Sequence, residues 1–96
     1  MNNKEYAAFL FDRIGTGADR ALKRPADRKV DRILRKLIQD ANLGDDCIIN
    51  DGSGYFRPGE DDEDAFEAYA AAERHRAREI LRKVSRMEKT FERRYE

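Results

Sequence analysis

Six side chains between positions 28 and 39 have the chemistry to bind nucleic acid: Arg28, Lys29, Arg32, Arg35, Lys36 and Gln39. Arginine and glutamine read guanine and adenine edges, and arginine and lysine also hold phosphate. On a helix turning about 100° per residue, with its apolar centre near Val30, four of the six lie opposite that centre. These are Arg28, Arg32, Arg35 and Gln39; Lys29 and Lys36 lie beside them. Asp31 and Asp40 flank the stripe and reduce its field. A solvated helix face carries the same residue types, so the pattern alone leaves both readings open. A second basic stripe, Arg78, Arg82, Arg86, Lys89 and Arg93, recurs near the C-terminus. Like charges at i, i+4 cost an isolated helix about 0.2–0.5 kcal/mol each, which hints at an acidic partner. Arg57 is a further candidate phosphate contact.

Enzyme chemistry finds less support. His75 sits among Glu73, Arg74 and Arg76 with no nucleophile motif nearby and reads as a surface residue. Gly15-Thr16-Gly17-Ala18 lacks the phosphate-loop pattern and no strand precedes it. One cysteine, Cys47, and one histidine build neither a disulfide framework nor a structural zinc site. We therefore expect no catalytic residues, metal or cofactor. With no secretory signal in view and no apolar run near the roughly 20 residues a bilayer requires, a reducing cytoplasm is the expected setting.

The elements that must position these residues follow from periodicity. Tyr6, Phe9, Leu10 and Ile14 predict a short helix over 4–14, stopped at Gly15-Thr16-Gly17. Residues 18–24 are ambiguous. Pro25 suits the first turn of a second helix over 26–42. Val30, Ile33, Leu34, Leu37, Ile38 and Ala41 form its apolar face. Cys47–Asn50 and Tyr55–Arg57 flank Asp51-Gly52-Ser53-Gly54, the strongest kind of short-range hairpin signal. The acidic run 60–64 opens a last helix over 61–96, its carboxylates favoured there by the helix dipole. Within it Phe66, Ala70, Glu73, Ala77, Ile80, Val84, Met87 and Phe91 alternate spacings of four and three, a heptad seam broken once at Glu73. The expected core is Phe9, Leu10, Ile14, Leu22, Val30, Ile33, Leu34, Leu37, Ile38, Ile48, Phe56, Phe66, Tyr69 and Ile80. Val84, Met87, Phe91 and Tyr95 would then be exposed along one stripe, and a homodimer would cover them.

The 96 residues are 42% charged and 40% hydrophobic, with zero net charge. The zero is a sum of blocks: residues 1–44 carry ten basic and six acidic side chains, 45–70 one against nine, and 71–96 nine against five. Two basic blocks suit an anionic partner, and the acidic block between them argues against a uniformly basic nucleic-acid binder.

Helix, charged helix, then hairpin is the order of a winged-helix domain, recognition helix followed by wing. Asp31-Arg32-Ile33-Leu34-Arg35-Lys36-Leu37-Ile38 resembles the recognition helix of small winged-helix-like proteins of phages and mobile elements in gut Firmicutes. Ile48–Pro58, with Asn50-Asp51 and Gly54-Tyr55-Phe56, looks like that family's wing. Tyr69 and Arg76–Leu81 are similar to its downstream helix. The similarity spans about residues 26–90. It departs from the family in two places. Ala21 to Pro25 leaves little room for the usual helix and turn ahead of the recognition helix, and the wing tip carries no Lys or Arg.

The resemblance implies a mostly α fold with one β-hairpin. A winged-helix-like body over 1–64 would continue into a long C-terminal helix over 61–96, part of the same domain and its dimerisation element. It implies a non-enzymatic DNA-binding accessory or regulatory protein. The nucleic-acid contacts would be Arg28, Lys29, Arg32, Arg35, Lys36, Gln39, Arg57, Arg82 and Arg86. A second reading, from small size, a repurposed winged helix, the acidic stretch 45–64 and a wing without base-reading residues, is a phage-encoded inhibitor. It would bind a host defence nuclease by protein–protein contact, in the manner of anti-CRISPR proteins.

Overall fold

The computed structural model describes residues 1–95. It is mostly helical: α1 spans Asn3–Asp12, α2 Arg28–Leu43 and α3 Glu63–Arg94. The strands β1, Ile49–Asn50, and β2, Tyr55–Phe56, form one antiparallel hairpin. The chain divides into two compact units, Met1–Phe66 and Glu67–Glu96.

In the first unit α1 packs on α2. The core gathers Ala7, Ile14, Val30, Leu34, Ile38, Ile48 and Tyr55, with Leu10, Phe11, Leu22, Ile33, Leu37 and Ala41 packed around it. Burial at i, i+4 and i+8 of α2, by Val30, Leu34 and Ile38, follows the apolar stripe read from the sequence. Ile49 and Phe56 are buried as well.

Phe9, Phe66 and Ile80 are exposed rather than buried. The inward face of α1 runs through Ala7, Leu10 and Phe11, one residue out of phase with Tyr6 and Phe9, and Ile14 joins the core just past its end. Phe9 instead meets Tyr6 edge-on at 6.4 Å and lies under the Arg13 guanidinium. Pro25 is outside the helix it was expected to begin. Asp27 is the N-cap of α2, its carboxylate accepting from the Lys29 and Val30 backbone N–H groups at 2.8 and 3.4 Å. The acidic run is split: Glu60–Asp62 forms a 3-10 turn, with the Asp62 carboxylate accepting from the Gly59 N–H at 2.8 Å, and α3 begins after it.

The hairpin pairs Ile49 with Phe56 and Asn50 with Tyr55. Two strand residues a side are too few to be stable alone, and the segment 15–22 supplies the missing pairing. Leu22 and Tyr55 exchange both backbone hydrogen bonds, at 2.9 and 2.8 Å. Arg57 donates to the Gly15 carbonyl, and Gly17 donates to the Arg57 carbonyl. On the other side the Asn42 carboxamide mimics a strand edge. It donates to the Ile48 carbonyl at 2.9 Å and accepts from the Ile48 N–H at 2.8 Å. Gly54, at φ +138°, sits hard against this pairing. A Cβ there would lie 2.2 Å from the Leu22 carbonyl oxygen.

In the second unit α3 continues to Arg94 with no buried residue along its length. Among the described residues no helix is long and apolar enough to cross a membrane.

Candidate nucleic-acid interface

One buried acid organises the first unit. Asp31 is 6% exposed and lies on the inward side of α2, not on the flank of the basic stripe. Its carboxylate accepts from the Tyr55 hydroxyl at 2.9 Å and from the Arg24 guanidinium at 2.8 Å, and lies 3.3 Å from Arg35. Burial works to raise its pKa, but the Arg24 and Tyr55 hydrogen bonds outweigh it and hold the carboxyl below its usual range. Tyr55 is pushed up to about 12, chiefly by burial and then by the adjacent carboxylate. The phenol therefore stays protonated and donating. The network ties α2 to β2 and to the residue just beyond the Leu22 bridge.

With Asp31 turned inward, the outward face of α2 is more cationic than its composition suggests. Arg28, Lys29, Arg32, Arg35, Lys36 and Gln39 are all exposed on it. Asp40, the other flanking acid, is neutralised by Lys36 at 3.0 Å. Arg35 leans toward Asp31. Among the described residues Arg28, Lys29 and Arg32 have no acidic partner. From Arg28 to Gln39 the stripe is about 16 Å long. That suits a helix of about 10–12 Å diameter lying in a groove about 12 Å wide.

Arg57 has a different position. Its guanidinium makes two 2.8 Å bonds to the Asp46 carboxylate and a short one to the Ile14 carbonyl. The Asp46 hydrogen bond raises the arginine's pKa, and the reciprocal bond lowers that of Asp46. Every nitrogen of the fork is engaged, one with the segment following α1 and two with the connection from α2 to β1, so Arg57 holds these segments together. The turn tip is likewise self-contained. Asp51 accepts from the Ser53 N–H and hydroxyl, and Asn50 from the Gly52 N–H.

Arg82 and Arg86 belong to the second unit and are exposed. Arg82 pairs with Glu79 at 2.9 Å. Val84, Met87, Phe91 and Tyr95 are 42–74% exposed, and the Phe91 and Tyr95 rings lie 4.8 Å apart. His75 is exposed. Among the described residues no group of three or more His, Cys, Asp or Glu could hold a metal ion.

Sequence reading missed Asp31, Tyr55 and Arg24 as a unit. A signal for it existed: Asp27, Asp31, Leu34 and Ile38 follow i, i+4, i+7, i+11, so Asp31 is in phase with the buried stripe. No family model matches the chain, and searches of the curated proteins and of the solved structures each return no match.

Proposed function

We propose that this chain is a non-enzymatic DNA-binding accessory or regulatory protein of winged-helix type, encoded by a phage or mobile element. On this reading α2 is the element laid against the duplex. The observation that carries the reading is the unpaired cationic set Arg28, Lys29 and Arg32, with Arg35 and Gln39 on the same outward face. Their helix is anchored on its other side by Leu34, Ile38 and Asp31. A rigid helix presenting arginine and glutamine at one-turn spacing can place donors against base edges while neighbouring cations hold phosphate.

The helix-then-hairpin order favours the winged-helix reading, with the hairpin as wing. The family's helix and turn ahead of the recognition helix have no counterpart here. Only the 3-10 turn Ala18–Arg20 and an extended segment lie between α1 and α2. The wing tip has no cation, and Arg57 is engaged with Asp46, so α2 carries the contact with little help from the hairpin.

Titration of a labelled duplex at two salt concentrations tests this. Arg32→Ala/Arg35→Ala should weaken binding by about 1–3 kcal/mol per base-reading arginine. Arg28→Ala or Lys29→Ala should weaken all sequences alike and lower the salt slope by about one for each phosphate no longer neutralised. No binding of the wild type at low salt would refute the proposal.

The inhibitor reading is favoured by one observation. Asp45, Asp51, Glu60, Asp61, Glu63 and Asp64 are all exposed, an acidic surface unsuited to DNA. It predicts activity that survives Arg32→Ala/Arg35→Ala and is lost on charge reversal in the 60–64 run or the 78–93 stripe.

A further inference from the structure

The cationic face of α2 leaves one large feature unused: the apolar strip of α3. Ala77, Ile80, Val84, Met87 and Phe91 recur at three and four residues, and the four larger ones are exposed over 42–64% of their surface. With Val84 and Phe91 at heptad position a and Ile80 and Met87 at d, the flanking positions follow. Lys83 falls at g and Glu88 at e.

Those two charges identify the occupant. In a parallel, in-register pair, the g residue of one strand faces the e residue of the next heptad on the other. Lys83 then meets Glu88 of the second copy, and the two-fold axis makes the same pair twice. Within one chain, among the described residues, neither Lys83 nor Glu88 has an ionic partner, whereas the neighbouring Glu79 is taken by Arg82 at 2.9 Å. Antiparallel packing over the same apolar stretch sets Lys83 against Thr90 and Glu88 against Leu81, and forms no ion pair. Val84 at position a is the β-branched choice that suits two strands. Glu73, at a d position and held by Arg76 at 2.7 Å, marks where the seam stops toward the N-terminus.

We propose that residues 77–95 form a parallel, in-register, two-stranded coiled coil with a second copy of this chain, closed by reciprocal Lys83–Glu88 pairs. This does not depend on the DNA reading.

Sedimentation of the full chain at tens of micromolar should give a dimer. Val84→Asp/Phe91→Asp should give a monomer with unchanged circular dichroism from the first unit, since both residues are exposed. Lys83→Glu should weaken the dimer several-fold, and so should Glu88→Lys, while Lys83→Glu/Glu88→Lys should restore it. Arg94→Cys in a Cys47→Ser background should cross-link 94 to 94 on mild oxidation, which only parallel strands allow. A monomeric wild type, a dimer indifferent to Val84→Asp/Phe91→Asp, a trimer, failed rescue by the charge swap, or absence of the 94–94 cross-link would each overturn the proposal.

Discussion

α2 and α3 are both long on charge and both carry an apolar stripe at helical spacing, yet they end in opposite conditions. In α2 the stripe is closed: Leu34 is fully buried and a charged network locks the helix to β2. In α3 the stripe is open: Phe91 is 64% exposed and no residue is buried. Periodicity says that a helix has a face to cover and does not say what covers it. For α2 the cover is α1 and the hairpin, and the outward face is free to carry cations. For α3 no residue is buried, and on the proposed pairing a second copy would supply the cover.

The largest effect should come from the backbone contact that completes the hairpin. Gly54→Val would set a Cβ 2.2 Å from the Leu22 carbonyl oxygen at a φ of +138°. It should cost about 4 kcal/mol or more, the range reserved for a broken structural mechanism. Gly52 has φ +99° with open space around it, so Gly52→Ala should cost only about 1–2 kcal/mol, the left-handed backbone penalty. Ser53→Ala, at the exposed tip, should stay within about 0.5 kcal/mol. Thermal unfolding of the three variants orders them; equal effects would contradict the contact.

Leu34→Ala should cost about 2–5 kcal/mol, as a fully buried leucine does. Leu81→Ala, the same change on α3, should stay within about 0.5 kcal/mol in a monomeric Val84→Asp/Phe91→Asp background. Urea unfolding decides, and similar costs would erase the distinction between the two helices.

Asp31→Ala should cost about 1–3 kcal/mol at neutral pH by orphaning the buried Tyr55 hydroxyl. Its pH dependence has a definite sign. The folded-state pKa of Asp31 is lowered from 3.8, so its stabilisation is present above about pH 4 and is lost as pH falls through the lowered value. The wild type's advantage over Asp31→Ala should therefore shrink in acid. Tyr55 acts at the other end. Its raised pKa gives stability that is full below about pH 10 and fades as pH rises toward about 12.

The sequence made much of this architecture legible, and the misses have physical causes. The face of α2 was readable because six apolar residues share one phase over twelve positions. The hairpin turn was readable because Asp-Gly between β-formers has few alternatives, and both Gly52 and Gly54 take a positive φ there. Phe9 misled because an aromatic outweighs an alanine in any apolar pattern, whereas Ala7 is the residue that α1 buries. Arg57 looked like a phosphate contact because nothing in the sequence pairs it with Asp46, eleven residues away, or with the Ile14 carbonyl. Such pairs are made by tertiary folding and leave no local spacing to read. Asp31 is intermediate. Its phase with Leu34 and Ile38 points inward, but its charge argues outward, and only Tyr55 and Arg24 resolve the conflict.

On the proposed reading the outward face of α2 meets the duplex. Amide and arginine side-chain resonances, followed by NMR as a short duplex is added at low salt, test it most directly. Shifts should concentrate at Arg28, Lys29, Arg32, Arg35 and Gln39, with Leu34 and Ile38 on the buried side nearly still. Shifts confined to 78–93, or none in α2 at saturating duplex, would contradict it.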